Sequence, residues 1–391
     1  MRTILVNFSK NFLLILITIT ITVFFIEFLY SLYKISSFRY NKWSNDGRNV
    51  FDEYVKLKKN KENITVTTPP YFLLNKNELT TKVFPLSGIS NIFTLDCNEN
   101  GYFSSYYSDR YGFNNKDELW DQEIDLLLIG DSFTHGACVN YENTFAGNFN
   151  SQFKTLSLGY GGNAPLMELA TIIEYINLIN PKKVIWFFSE GNDLEGLMDE
   201  YKHPIFRDYL LKKNFTQNLP AKQSQVNKIQ EKIVNMEFKK YERKKKKLFN
   251  FQDLSFKSIL HLSNIKNLIR YRLKINFSNK EYINENTFNL FKQVIKKSNK
   301  IVKDNKSEFY FVLLPFYPGT FDKNSSRYKN YVNVVSLVEN LDIKVIDLQK
   351  LWFDNSSDPK SFFPGRLHGH YTENGYKIAT SIILEHIINN K

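Results

Sequence analysis

A serine hydroxyl attacks a carbonyl only when a base removes its proton, and the oxyanion that forms needs hydrogen-bond donors already in place. This chain carries residues of those types in separated segments. The apolar run at residues 126–129 ends in Gly130-Asp131-Ser132-Phe133, so a strand delivers Ser132 to a tight turn. Gly159-Tyr160-Gly161-Gly162-Asn163 offers the N–H of Gly162, unshielded by a side chain. Glu190-Gly191-Asn192-Asp193 offers the amide of Asn192, and His368-Gly369-His370-Tyr371-Thr372 offers His370 as base. Together they point to acyl chemistry on Ser132. Their polar neighbours have plainer readings. Asp131 braces the turn, Asp193 bonds within its loop, and His135 is a loop-surface histidine or lines the pocket. Tyr160, Asn163 and Glu190 are candidate substrate contacts.

The elements that must hold these residues alternate. Apolar runs at 124–129, 154–158, 184–188, 309–314 and 343–346 read as strands. Residues 166–179, about 287–303 and 373–389 read as helices, the first stopping at Asn180-Pro181. Strand-then-helix alternation implies a parallel sheet covered on both faces, of the α/β class. In such sheets the site forms at the carboxyl edge, where each of the segments above falls.

In its motifs the chain resembles the SGNH/GDSL hydrolase family. Gly130-Asp131-Ser132-Phe133 looks like its first block, Ser157 to Asn163 like its second, Gly191-Asn192-Asp193 like its third, and His370 to Gly375 like its last. The resemblance covers roughly 121–196 and 305–391. It implies a flavodoxin-like three-layer α/β/α fold. It also implies Ser132 as nucleophile, His370 as base, and Ser132 N–H, Gly162 N–H and Asn192 as oxyanion donors. No His/Cys cluster suggests a metal, and no cofactor is expected. One departure matters. The family places an aspartate two or three residues before its histidine, where this chain has His368 and Leu367. Three readings stay open: a Ser132–His370 dyad steadied by a carbonyl or water; an acid from elsewhere, with Asp354 and Asp358 nearest upstream; or a domain that binds without hydrolysing.

The chain has 391 residues, 42% hydrophobic, with a formal charge of +12. That balance favours anionic surroundings such as phospholipid head groups or acidic glycans. No Walker loop, zinc spacing or nucleic-acid module is present, so nucleic acid is not an expected partner. Residues 12–26 carry no charge, and Glu27 is the one charge before Lys34. This reads as an uncleaved, single-pass signal anchor over 1–33. Arg2 and Lys10 precede it and Lys34, Arg39 and Lys42 follow, so the charge rule is nearly balanced. A short tail before a large domain leaves that domain outside the cytoplasm. Residues 34–120 read as a stalk and an aromatic-rich lead-in, and 121–391 as the catalytic domain. A basic helical insertion occupies about 197–285, with Lys239–Lys247 as a solvated face and 256–273 as an amphipathic stripe. Cys97 and Cys138 form one disulfide if the domain is exported, or stay as two thiols. What the family resemblance implies, and the anchor and positive charge fit, is an esterase for O-acyl, above all O-acetyl, groups on envelope glycans. An O-acyltransferase with the same site and a glycan-binding scaffold are the alternatives; oligomeric state is not legible.

Overall fold

The computed structural model describes residues 2–37, 48–60, 63–76, 83–249, 261–262, 265–266, 283–317 and 319–389. The chain divides into two compact units, Met1–Asn41 with Phe238–Tyr282, and Lys42–Glu237 with Ile283–Lys391.

In the first unit, α1 (Arg2–Ser37) contains the stretch Lys10–Tyr30, with mean hydropathy 2.6. That stretch is long and apolar enough to cross a membrane, and most of its Phe, Leu and Ile side chains are exposed. Its threonines suit such surroundings. Thr18, Thr20 and Thr22 each donate to the carbonyl four residues back, at 2.8 Å, so no hydroxyl needs water.

The second unit holds the sheet. Its strands β4 (Leu126–Ile129), β5 (Thr155–Ser157), β6 (Lys183–Ser189), β7 (Glu308–Leu314) and β8 (Lys344–Asp347) lie in the order β5-β4-β6-β7-β8, all parallel. Strand side chains alternate between faces. Leu127, Ile129, Trp186, Phe188, Phe311 and Leu313 therefore enter one apolar cluster. Leu126, Leu128, Ile185, Phe187, Tyr310 and Val312 enter the other. Two buried faces explain why the strands read as continuous apolar runs. Full burial of each such side chain contributes about 1.5–3 kcal/mol.

The helices close both faces. On the first lie α5 (Pro165–Ile179), α9 (Glu285–Asp304) and α10 (Ser326–Glu339); on the second lie α4 (Phe145–Phe149) and α11 (Glu373–Asn389). The expected three-layer α/β/α arrangement with a parallel sheet is the one observed. Helix α10 was not anticipated, although Tyr331, Val334, Val335 and Val338 recur at helical spacing and are buried.

The described residues of 48–120, the expected stalk and lead-in, carry short elements of their own. Asn49 caps α2 (Val50–Lys58) by accepting from Phe51 N–H at 2.9 Å. β1 (Ile64–Val66), β2 (Phe93–Leu95) and β3 (Ser105–Tyr107) form a small sheet. Leu73, Val83, Phe84 and Leu86 are buried in the same cluster as the large sheet's first face. Apolar residues scattered at irregular spacing give no periodic signal, which is why this packing was missed.

Within the expected insertion, α6 (Asp193–Lys202), α7 (Pro204–Leu211) and the first half of α8 (Gln223–Phe249) pack on that face through Leu197, Phe206, Tyr209 and Val226. The basic run lies on α8 with Lys239, Lys240 and Lys244 exposed. Most of the amphipathic stripe at 256–273 lies outside the described residues.

Candidate functional site

Ser132 begins a single helical turn, α3 (Ser132–His135), directly after β4. Asp131 caps that turn by accepting from Phe133 N–H at 2.9 Å, so its bracing role is visible. Across the carboxyl edge, Ser132 Oγ lies 2.8 Å from His370 Nε2. His370 sits in the loop just before α11, and the Phe133 ring lies tilted against both His370 and Tyr371.

The imidazole is held from behind. Glu99, in the lead-in between β2 and β3, places one oxygen 3.1 Å from His370 Nδ1 and accepts the His370 main-chain N–H on the same atom at 2.7 Å. The approach needs Gly369, since a Cβ there would stand 2.7 Å from that oxygen. Burial raises the Glu99 pKa, but the charge and hydrogen bonds of His370 outweigh it and hold the carboxyl below its ordinary value. Burial likewise lowers His370, and the charge and hydrogen bond of Glu99, with Asp131 and Asp96, more than reverse this and raise it.

Of the open readings, an acid from elsewhere is the one the geometry favours, but it is Glu99 and neither of the two aspartates named for it. Asp354 instead accepts from Gln349 at 2.8 Å and faces Lys323, and Asp358 pairs with Arg366. Neither bonds to His370. The dyad steadied by a carbonyl or water is also set aside, because Glu99 occupies Nδ1. The sequence feature that could have led to Glu99 is Cys97, two residues earlier, whose pairing with Cys138 brings this segment to the Ser132 loop.

Cys97 and Cys138 form a disulfide across 41 residues. Closing a loop of that size stabilises by roughly 4 kcal/mol in the chain-entropy account. The bridge joins the lead-in to the loop after Ser132. Around it, Cys138 N–H donates to Asp96 at 2.9 Å and Asn100 donates to the Cys138 carbonyl at 3.1 Å. The Cys138 sulfur lies within 4.8 Å of a carboxylate oxygen of Glu99 and a ring nitrogen of His370. Such a trio resembles a metal-ligand set, but a disulfide sulfur is not a thiolate and does not fit a metal.

Gly162 follows β5 with φ +77°, and a Cβ there would meet the Tyr71 ring at 2.1 Å. Its neighbour Gly161 stands beside the nucleophile, where a Cβ would come 4.0 Å from Ser132 Cβ. Asn192 follows β6 at the start of α6, and its side chain makes no capping bond to that helix. Its amide is one of the groups that lower the Asp131 pKa, although burial dominates and raises it. Asp193 accepts from Ser189 N–H at 2.8 Å, a bond within its loop.

The remaining sequence candidates are interior. His135 is buried between the Tyr106 and Tyr160 rings, not on the surface, and burial lowers its pKa. Tyr160 and Asn163 are each 1% exposed. Glu190 is buried 3.5 Å from Arg327; burial pushes it up to about 7, against the Arg327 charge. None of the three offers a free face to substrate. A cleft of about 530 Å³ lies beside β3, walled by Tyr106, Tyr107, Asn114, Asn140 and Tyr141 among others. Neither Ser132 nor His370 lines it.

No family model matches the sequence, and no curated protein matches it. Among solved structures, the chain is similar to a lipase/acylhydrolase from Enterococcus faecalis, at TM-score 0.37 and 12% identity, covering 68% of this chain and 96% of that one. It is also similar to a GDSL-like lipase from Bacteroides thetaiotaomicron, at TM-score 0.35 and 13% identity, covering 69% of this chain and 91% of that one. Likeness at this distance assigns no activity.

Proposed function

We propose that the chain is a membrane-anchored serine esterase of SGNH type that removes O-acyl, above all O-acetyl, groups from cell-envelope glycans. The observation that carries the reading is the line Ser132 Oγ, His370 Nε2, His370 Nδ1, Glu99 Oε2, with contacts of 2.8 and 3.1 Å. A nucleophile within hydrogen-bond reach of a base, itself oriented by a third group, is the arrangement that acyl transfer requires.

In the proposed reaction His370 takes the Ser132 proton as Oγ bonds to the ester carbonyl carbon. The N–H groups of Ser132 and Gly162 and the Asn192 amide hold the oxyanion. Collapse breaks the bond to the alcohol oxygen, which receives the proton from His370. Water, deprotonated by His370, then attacks the acyl-enzyme and releases the acid and free Ser132. A sugar hydroxyl in place of water gives the acyltransferase, from the same residues. The scaffold reading loses its motive, because a carboxylate does face His370.

The α1 span supports an anchor. The disulfide supports an oxidising compartment, and so a sheet unit outside the cytoplasm. The positive charge and the anchor favour envelope glycans, with other esters as the broader class. The test is p-nitrophenyl acetate hydrolysis by the full chain in detergent, beside Ser132→Ala and His370→Ala, with fluorophosphonate labelling of Ser132. Turnover and labelling that vanish in Ser132→Ala support the esterase; turnover that survives it removes the reading.

A further inference from the structure

We infer that the Cys97–Cys138 disulfide is part of the catalytic apparatus: it is the tie that holds the Glu99 carboxylate on His370. This rests on the esterase reading for its consequence in turnover, but not for its geometry.

Glu99 reaches His370 from outside the sheet. It is carried by the turn between β2 and β3, and no strand of the large sheet supports it. A carboxylate delivered by a loop must be fixed to within a few tenths of an ångström to control an imidazole. Three attachments of this turn, on either side of Glu99, converge on Cys138, while Tyr102 donates to Glu373 farther along. Cys97 is bonded to Cys138, Asp96 accepts from Cys138 N–H, and Asn100 donates to the Cys138 carbonyl. Glu99 lies between these anchors. Cys138 belongs to the loop that leaves the Ser132 turn, where Ala137 N–H donates to the Ser132 carbonyl at 3.0 Å. One bridge therefore couples the positioning carboxylate to the segment that carries the nucleophile. The Cys138 sulfur also lies within 4.8 Å of a carboxylate oxygen of Glu99 and a ring nitrogen of His370.

Without the bridge, hydrogen bonds such as those of Asp96, Asn100 and Tyr102, which donates to Glu373, are left to oppose the entropy of the turn, and each net hydrogen bond is worth far less than a covalent link. The carboxylate then samples positions off Nδ1, and His370 loses its orientation while Ser132, Gly162 and Asn192 stay in place. The defect belongs in kcat, with KM little changed. Glu99 is a positioning residue here, and the disulfide positions Glu99.

The test is a double-mutant cycle in the full chain between Glu99→Gln and the pair Cys97→Ser with Cys138→Ser. Two readouts are taken. The first is the His370 imidazole titration by NMR, assigned by its loss in His370→Ala; the ionisable groups near that ring are Glu99, Asp131, Asp96, His135 and His368. The second is kcat for p-nitrophenyl acetate. Expected are a His370 titration moved to lower pH and a kcat fall of roughly 10- to 100-fold in the double-serine chain. In the Glu99→Gln background the same pair is expected to change either readout by less than about threefold. An unmoved His370 titration in a cooperatively melting double-serine chain overturns the inference, as do losses that multiply. If that chain does not melt cooperatively, Asn100→Ala, which keeps the disulfide and cuts one neighbouring tie, enters the same cycle under the same criteria. Should wild type lack Ser132-dependent turnover, the esterase reading fails, and the His370 titration still decides the clamp.

Discussion

Replacing Glu99 by glutamine separates charge from orientation. A single oxygen takes both the His370 main-chain N–H at 2.7 Å and Nδ1 at 3.1 Å. A main-chain N–H only donates, so the glutamine must turn its carbonyl oxygen to that place. The same oxygen then still accepts from Nδ1–H, and Nε2 stays free for Ser132. What is lost is the negative charge. Two unit charges about 4 Å apart interact by about 4 kcal/mol at an effective dielectric near 20. The cost of burying the carboxylate makes this an upper bound. At about 1.4 kcal/mol per decade, kcat of Glu99→Gln falls by up to about 10³. Glu99→Ala removes the acceptor as well and frees the ring to take the other tautomer, so its loss approaches about 10⁴. The assay is kcat and KM for p-nitrophenyl acetate across about pH 5 to 9, bracketing the histidine range. His370 is raised above 6.5 despite burial, and a base must be neutral, so the wild-type rate climbs as pH rises through that raised value. Removing the Glu99 charge lowers it, and the acid limb moves to lower pH. Equal losses in the two variants would refute the tautomer argument. Losses under about threefold in both, set against the roughly 10²–10⁴ that acid–base catalysis supplies, would refute a positioning role altogether.

Other expectations follow from separate parts of the structure. Gly162→Ala forces a Cβ into the Tyr71 ring at a φ of +77°, and kcat should drop by about 10² or more through displacement of the N–H. Adding Tyr71→Ala should recover part of it, and no recovery would mean that backbone conformation alone is responsible. Asn192→Ala should lower kcat by about 10²–10³ with KM unchanged, read by steady-state kinetics. An equal rise in KM would instead mark Asn192 as a ground-state contact. Glu174 accepts from Thr216, Gln217 N–H and Leu219 N–H at 2.6–2.8 Å in a buried pocket. Glu174→Ala should therefore destabilise by about 3–5 kcal/mol in denaturant melts, without changing the activity of the folded fraction.

The large sheet was legible because its strands are buried on both faces, and a continuous apolar run needs no distant information to be recognised. Ser132, Gly162, Asn192 and His370 could be singled out for a similar reason. Each follows or precedes an element whose boundary is local, and parallel topology gathers such boundaries at one edge. The small sheet of β1, β2 and β3 gave no such signal. Its strands are three residues each, and their polar neighbours hide the buried Leu73, Val83 and Phe84 between them.

The sequence alone determined the strands of the large sheet, the helices α5, α9 and α11, and Ser132, Gly162, Asn192 and His370 as candidates for chemistry, since periodicity, turn residues and glycine are properties of short windows. Only the tertiary structure decided who orients His370. Glu99 lies 271 residues away along the chain, and no window holds both. Distance in sequence is erased by loop closure, which grows only logarithmically in cost with length. A carboxylate two residues from a cysteine could thus replace one expected two residues from the histidine. Cys97 and Cys138 were visible as a possible pair, but that their bridge lies against the base is a fact of packing.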